Sequence, residues 1–375
     1  MIERLLLHDF RNYRHVDLTP ARSVNVLLGR NAQGKTNLLE SVLYLGLGKS
    51  PRTGRDSELI RWESDVASVA AVLKKRDSSG RLQIVLRSDA PKRITWNDSP
   101  LKPRDALGIL STVSFFPDDL YLVKGGPAQR RRLLDVLLCQ ADAKYARHLS
   151  RLQRVLRHRN MQLKALQGHS GGGELLAVWN EHLIAEAVPL MVRRAEAVRR
   201  LGEAAAAFHK RITDGREELQ LAYRPFFAAD GEQPDSSWEN SDTMVARLDD
   251  AIARLEGDER RRGVTLVGPQ RDDIQFLIGG VDARTFASQG QQRTAVLSLK
   301  LAELEFLREE TGEYPVLLLD DVLSELDAVR RGFLLEAVAE TVQTFITTAQ
   351  AEPLPQRLLA DARVFHVHQG TITPA

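Results

Sequence analysis

The run Gly29-Arg30-Asn31-Ala32-Gln33-Gly34-Lys35-Thr36 constrains this chain more than any other feature, because it fits G-x-x-x-x-G-K-[ST] at every fixed position. The apolar segment Val24–Leu28 precedes it as a buried strand would, and Asn37–Leu43 follows with the texture of a helix. Strand, glycine loop and helix in that order make an anion cradle. The glycines let the backbone wrap around phosphate, and amide N–H groups and the positive end of the helix point at it. In such a loop Lys35 reaches the β- and γ-phosphates and the Thr36 hydroxyl ligates Mg2+. A glycine-rich turn with a purely structural role has no need of Lys-Thr after its second glycine. The expectation is a P-loop α/β protein that binds ATP through Gly29, Arg30, Asn31, Ala32, Gln33, Gly34, Lys35 and Thr36.

A second segment fits the same site. Pro315-Val316-Leu317-Leu318-Leu319-Asp320-Asp321 reads as a central parallel strand buried on both faces, with carboxylates at the C-terminal end where open α/β sheets bind ligands. Asp320 is the expected Mg2+ partner of Thr36, and Asp321 the expected group that polarises the attacking water. The string Ser288-Gln289-Gly290-Gln291-Gln292-Arg293 opens an apolar helix 32 residues before Asp320. Ser288 could simply cap that helix. A serine hydroxyl, a glycine N–H and a helix N-terminus also make a second phosphate-binding surface. One phosphate loop and a separate signature, Ser288, Gly290 and Gln291, suggest ATP held between two copies of the chain.

Composition removes several classes. Of 375 residues 43% are hydrophobic and 27% charged, as in soluble globular proteins, and the single Cys139 excludes an intrachain disulfide or cysteine-rich metal site. Within Val136–Cys139 it reads as a buried small apolar residue. Uninterrupted apolar runs fall well short of the roughly 18 residues of a membrane helix. Leu5–Leu7 is too short for a signal-peptide core, so the expectation is a cytoplasmic protein without a membrane partner. The charge is uneven. Between Lys124 and Arg216 there are 18 Lys/Arg against 8 Asp/Glu, while the remainder has 34 against 42. A basic middle in a mildly acidic chain suits a polyanion such as DNA. The candidate contacts are Arg147, Arg151 and Arg154, spaced along one helical face, with Arg193 and Arg194. No aromatic residues interleave them in sequence, so duplex phosphates are favoured over unpaired bases.

Strands are expected over Met1–Asp9, Val24–Leu28, Val66–Leu73 and Leu82–Leu86, with a turn at Asp77–Gly80. Helical spacing begins after Pro127 and runs to about Ala165. It breaks at Gly168–Gly173, resumes over about Glu174–Lys210 with Pro189 as a kink or boundary, and returns over Asp242–Arg262 after a polar loop at Ala228–Asn240. Strand texture reappears at Val264–Val267 and Ile274–Ile278. The domain reading is a discontinuous ATPase lobe, residues 1–120 with 263–375, and an inserted helical lobe, 121–262. No heptad array is long enough for a coiled coil. His366 and His368 share a strand face, but two histidines without a third ligand are a poor metal site.

Together these motifs resemble the ATP-binding-cassette ATPase class: phosphate loop, signature, acidic strand end, and a D-loop at Ser324-Glu325-Leu326-Asp327. Within that class the chain resembles the RecF family of bacterial recombination mediators. Further strings carry the match: Phe10-Arg11-Asn12-Tyr13; Phe116-Pro117-Asp118-Asp119-Leu120 leading to Val123-Lys124-Gly125, Pro127 and Arg130-Arg131; and Gly268-Pro269-Gln270-Arg271-Asp272-Asp273. The resemblance implies an ATPase head like those of structural-maintenance-of-chromosomes proteins. It also implies ATP-dependent dimerisation on duplex, gapped or junction DNA, slow DNA-stimulated hydrolysis, and cooperation with RecO and RecR in loading RecA.

Asp321 stands where transporter cassettes carry a glutamate, and Thr347-Thr348 where they carry a switch histidine, which suits weak hydrolysis. The rival reading, a cassette subunit driving a transporter, expects that histidine and leaves the basic middle without a role. A small-molecule phosphotransferase would have no use for Ser288–Arg293.

Overall fold

In the computed structural model, residues 1–76, 78–167, 173–229, 236–338, 341–349 and 362–375 are described. Of the expected glycine break all but Gly173, residues 230–235 of the polar stretch Ala228–Asn240, and the Asp77 end of the first expected turn lie outside them. The chain divides into two compact units: Met1–Leu120 with Val296–Ala375, and Tyr121–Ala295.

The first unit holds two six-stranded sheets. One is antiparallel, in the order Tyr13–Leu18, Ile2–Phe10, Val66–Lys74, Ser79–Arg87, Arg93–Trp96, Ser99–Leu101. Its inward positions alternate along Ser79–Arg87 at Leu82, Ile84 and Leu86, as a half-buried sheet requires, while along Ile2–Phe10 a register shift after Ile2 breaks the alternation and Ile2, Leu5, Leu7 and Phe10 are the buried ones. The other sheet is ordered Thr371–Pro374, Arg363–His368, Val24–Leu28, Thr344–Thr348, Val316–Asp320, Thr112–Phe115, parallel except at its Thr371–Pro374 edge. Val316–Asp320 and Thr344–Thr348 are buried at every position, as strands covered on both faces must be. The helix Lys35–Leu47 packs between the sheets, with Leu38, Leu39, Val42 and Tyr44 in the shared core.

The second unit is mainly helical. Pro127 occupies the first turn of Pro127–Ala141, where its missing N–H costs nothing. The expected single helix is two, because Asp142 leaves helical geometry and its carboxylate accepts the Lys144 N–H, capping Ala143–Ala165. Gly173–Ile212 runs through Pro189 rather than ending there. Length and composition would let this helix cross a membrane, with a window of mean hydropathy 1.3, a feature that runs of apolar letters do not reveal. Its buried face, Leu183, Ala187, Leu190 and an ion-paired Arg194, is that of a core helix. Cys139 is half-buried rather than buried.

Two features of this unit differ from the sequence reading, each for its own reason. Val264–Val267 is not a strand: the Thr265 and Leu266 amides donate to side chains, Asn160 Oδ1 at 2.8 Å and Glu259 Oε1 at 2.7 Å, not to a ladder. The junction expected after Arg262 falls after Ala295. Asp273–Ile278 pairs antiparallel with Leu219–Arg224, a strand without a sequence signal, and this holds the segment in the helical unit.

Candidate nucleotide site

The phosphate loop lies between Val24–Leu28 and Lys35–Leu47, at the C-terminal edge of the parallel sheet. Gly29 has no room for a side chain, since a Cβ would sit 2.3 Å from the Val367 carbonyl oxygen. Gly34 takes φ 116°, open to glycine, and a Cβ there would meet Asn12 at 2.5 Å. The Lys35 ammonium donates to the Gly29 and Arg30 carbonyls at 2.5 and 2.9 Å, folded against its own loop. Burial draws its pKa below the usual lysine range, opposed by the nearby carboxylates of Asp321 and Asp320.

Thr36 and Asp320 come together from positions 284 residues apart: the Thr36 hydroxyl donates to the Asp320 carboxylate, at 2.9 and 3.0 Å from its two oxygens. Asp320 is buried, and Thr347 donates to its Oδ1 at 2.8 Å. Thr347 Oγ1 in turn accepts the Asp321 N–H at 2.9 Å, and the Asp321 carbonyl accepts from Ser324 at 2.7 Å. These contacts hold Asp321 at φ 54°, uncommon for a residue with a side chain. The threonine at the switch position thus ties both acids to the neighbouring strand. Asp327 caps the helix Ala328–Val338 by accepting the Arg330 N–H at 2.9 Å. Asn31, Gly34, Lys35, Thr36, Asp320, Asp321 and Thr347 line one cleft of ≈ 410 Å³, with Arg52 and Pro117.

Sequence reasoning left the props of the loop unassigned. Phe10–Tyr13 is the turn joining the first two strands, and it braces the loop from outside. Asn12 donates to the Gln33 carbonyl at 3.1 Å and Tyr13 to the Gly34 carbonyl at 2.9 Å. Arg11 forms a two-pronged bond with the buried Glu40, at 3.0 and 2.8 Å. At the C-terminal end, Gln369 and Gly370 amides donate to Gln33. The only signal was the Phe10–Tyr13 string itself.

In the second unit Ser288 and Gln291 form a reciprocal capping box: Ser288 Oγ accepts the Gln291 N–H at 3.2 Å, and Gln291 Oε1 accepts the Ser288 N–H at 2.8 Å. They open the helix Gln289–Thr311, and Gly290 lies in its first turn.

The arginine assignments divide. Arg147, Arg151 and Arg154 are exposed. Arg194 is buried and cannot be a DNA contact: it donates to Asp135 at 2.7 Å, Tyr145 at 2.9 Å and the Pro269 carbonyl at 2.6 Å, with Asp272 at 3.4 Å. Arg193 is largely covered and pairs with Glu196 at 2.8 Å. Arg130 and Arg159 also turn inward, onto Asp273 and Glu259. The Arg130-Arg131 and Gly268–Asp273 strings therefore meet as one buried ionic core. Burial raises Asp272 to about 6, against the pull of Arg194 and Tyr223. Part of the basic excess is internal structure. His366 and His368 share an exposed strand face, and no cluster able to hold a metal occurs among the described residues.

The sheet order and the loop with its buried acidic partner define an ATP-binding-cassette-type P-loop ATPase head. The RecF/RecN/SMC N terminal domain family matches residues 1–373. The chain is 45% identical to the DNA replication and repair protein RecF of Symbiobacterium thermophilum, over 99% of this chain and 97% of that one. It is 42% identical to the RecF of Listeria welshimeri over 99% of each. A solved structure of the recombination mediator RecF with an ATP analogue superposes with TM-score 0.90 at 30% identity, covering 100% of this chain and 98% of the other. A structural-maintenance-of-chromosomes head bound to a domain of ScpA shares the fold alone, with TM-score 0.56 at 15% identity. The chain belongs to the RecF family.

Proposed function

We propose that this protein is an ATP-dependent DNA-binding switch of recombinational repair, in which ATP joins two copies on DNA and slow hydrolysis releases them. The observation that carries the reading is the Thr36–Asp320 pair beside Lys35 in an open cleft. A hydroxyl and a buried carboxylate are the hard oxygen donors that Mg2+ takes, and loop amides with a lysine suit the phosphates. Bound Mg2+ would neutralise charge on the β- and γ-phosphates. Lys35 would exchange the Gly29 and Arg30 carbonyls for phosphate oxygens. Asp321, held in position by Thr347 and Ser324, orients water and accepts its proton; a carboxylate one methylene shorter than glutamate suits a slow turnover. Ser288, Gly290 and Gln291 would meet the γ-phosphate held by the other copy, and Ser324 and Asp327 would lie along that junction. The exposed Arg147, Arg151 and Arg154 would track phosphates. Family membership supports cooperation with RecR and RecO, loading of RecA at gaps and a cytoplasmic location.

Light scattering with ATP tests the switch. The wild type is expected to dimerise, and Ser288→Arg to bind ATP as a monomer without dimerising. Asp321→Asn should bind ATP, hydrolyse about a hundredfold more slowly and stay dimeric. Because Ser288 caps its own helix, the thermal midpoint of Ser288→Arg is measured alongside. An ATP-binding defect in Ser288→Arg as large as in Lys35→Met would show that the signature does not act on the partner's nucleotide.

A further inference from the structure

One residue of the phosphate loop stands in a conformation that its own side chain disfavours. Ala32 has φ 63°, in the left-handed region, where alanine is roughly tenfold less populated than in its right-handed form. A left-handed residue within such a turn helps aim successive N–H groups at one point, which an anion requires. The Ala32 side chain is exposed, so no packing around it holds this geometry, and the restraint comes through the backbone next to it. That restraint converges on Gln33. Its carbonyl oxygen accepts from Asn12 Nδ2 and from the Gly370 N–H, both at 3.1 Å, and its Oε1 accepts the Gln369 N–H at 2.9 Å. These bonds tie one residue to two turns. The first joins Ile2–Phe10 to Tyr13–Leu18, and the second joins Arg363–His368 to Thr371–Pro374 at the C-terminal end. The turns also brace each other, since Gly370, at φ 77°, passes so close to the first that a Cβ would sit 2.2 Å from the Asn12 carbonyl oxygen. Arg363–His368 lies parallel to Val24–Leu28, the strand that leads into the loop, and its Val367 carbonyl closes on Gly29. The C-terminal hairpin therefore meets the loop at both Gly29 and Gln33.

We propose that Gln33 is a positioning residue through which the C-terminal hairpin holds the phosphate loop in its phosphate-binding form before nucleotide arrives. The proposal rests on the reading of Gly29–Thr36 as the cradle for the phosphates. A disfavoured backbone geometry persists only where its surroundings over-determine it, and such strain gathers at ligand clamps. A loop ordered in advance spares the nucleotide the cost of ordering it, so the hairpin contributes to affinity without touching the ligand. The effect falls on ATP and ADP alike, because loop amides serve the α- and β-phosphates that both carry.

The test is calorimetric titration of the full chain with MgATP and with MgADP, alongside the apo thermal midpoint. Gly370→Ala, whose Cβ pushes the hairpin turn off Asn12, and Gln33→Ala, which removes the tie to Gln369 without adding bulk, are each expected to weaken both nucleotides about five- to tenfold. In an Ala32→Gly background the same two changes should cost less than about twofold, because glycine takes the left-handed form without a clamp. That dependence on position 32 is what a merely structural role for the hairpin would not produce. Equal losses in both backgrounds, or wild-type affinity in both variants, overturn the proposal. Gln33→Ala keeps the test readable if Gly370→Ala unfolds. Lys35→Met separates the two levels: retained affinity there sinks the phosphate-loop reading itself, whereas a loss there with intact affinity in the hairpin variants sinks the clamp alone.

Discussion

The nucleotide cleft and the arginine-rich helical unit use charge in opposite ways. In the cleft, Lys35 is held by its own loop's carbonyls, groups that phosphate oxygens can replace, and the Thr36 hydroxyl donates to Asp320, a bond that a cation held by both oxygens would replace. In the helical unit Arg159 is wholly buried, its nitrogens matched to Glu259 at 2.6 Å, Thr265 at 2.9 Å and Asn180 at 3.0 Å. Arg194 is similarly enclosed. The first arrangement leaves its cation able to change partners. The second engages each guanidinium nitrogen, so its charges organise the unit and reach no ligand. Charge counted along a sequence does not separate the two; burial does.

The largest effect expected from this contrast is on folding. Arg159→Ala leaves Glu259 charged and unpaired in the interior, which should cost about 3–5 kcal/mol in urea unfolding. Arg159→Met with Glu259→Leu should recover most of it. A loss under about 1 kcal/mol in the single variant would mean that this pair is not the organising interaction its burial indicates.

Lys35→Met should show the reverse pattern: an unchanged apo thermal midpoint, and ATP binding weakened by about 1.5–3 kcal/mol, the worth of a charge-assisted hydrogen bond. Calorimetric titration reads it, and retained nucleotide affinity would remove Lys35 from the site.

A third variant sharpens the comparison within the nucleotide-binding unit itself. Glu303 is buried, 3.2 Å from Lys300, and burial pushes its pKa to about 7. A carboxyl raised in the folded state favours folding while it is protonated. Its contribution is therefore complete below its ordinary pKa of about 4.3 and fades as pH rises through about 7. Glu303→Gln should flatten the fall in stability between about pH 4.5 and 7, a change on the order of 3 kcal/mol. Parallel pH profiles of the two proteins would show that Glu303 stays ionised when folded.

The smallest effect on folding belongs to the exposed stripe. Gln at positions Arg147, Arg151 and Arg154 should change stability by no more than about 0.5 kcal/mol. The slope of log K for DNA against log salt should nonetheless become shallower by roughly 2.7, about 0.9 for each phosphate that is no longer neutralised. An unchanged slope in the folded variant would make this face an ordinary solvated helix.

The nucleotide site was legible because its chemistry is local. A strand, a glycine loop, Lys35 and Thr36 are consecutive, and the apolar run ending in Asp320 and Asp321 announces its own burial. Ser288 and Gln291 were legible as a helix start for the same reason. What joins distant segments was not. The pairing of Thr36 with Asp320, the bracing of the loop by Asn12, Tyr13 and Gln369, and the Thr347 clamp on Asp321 exist only once strands far apart in sequence lie side by side. Leu219–Arg224 is a strand because Asp273–Ile278 offers it a ladder, and that pairing moved the unit boundary past Ala295. Arg154 and Arg159 look alike as letters, five residues apart on one helix. Sequence alone determined that this chain holds a phosphate loop, its acidic partner strand and a cation-rich helix. Tertiary structure decided which cations reach solvent, because a 3.6-residue turn sends one toward water and the other toward Glu259, and only the packing around them sets the cost of their charge.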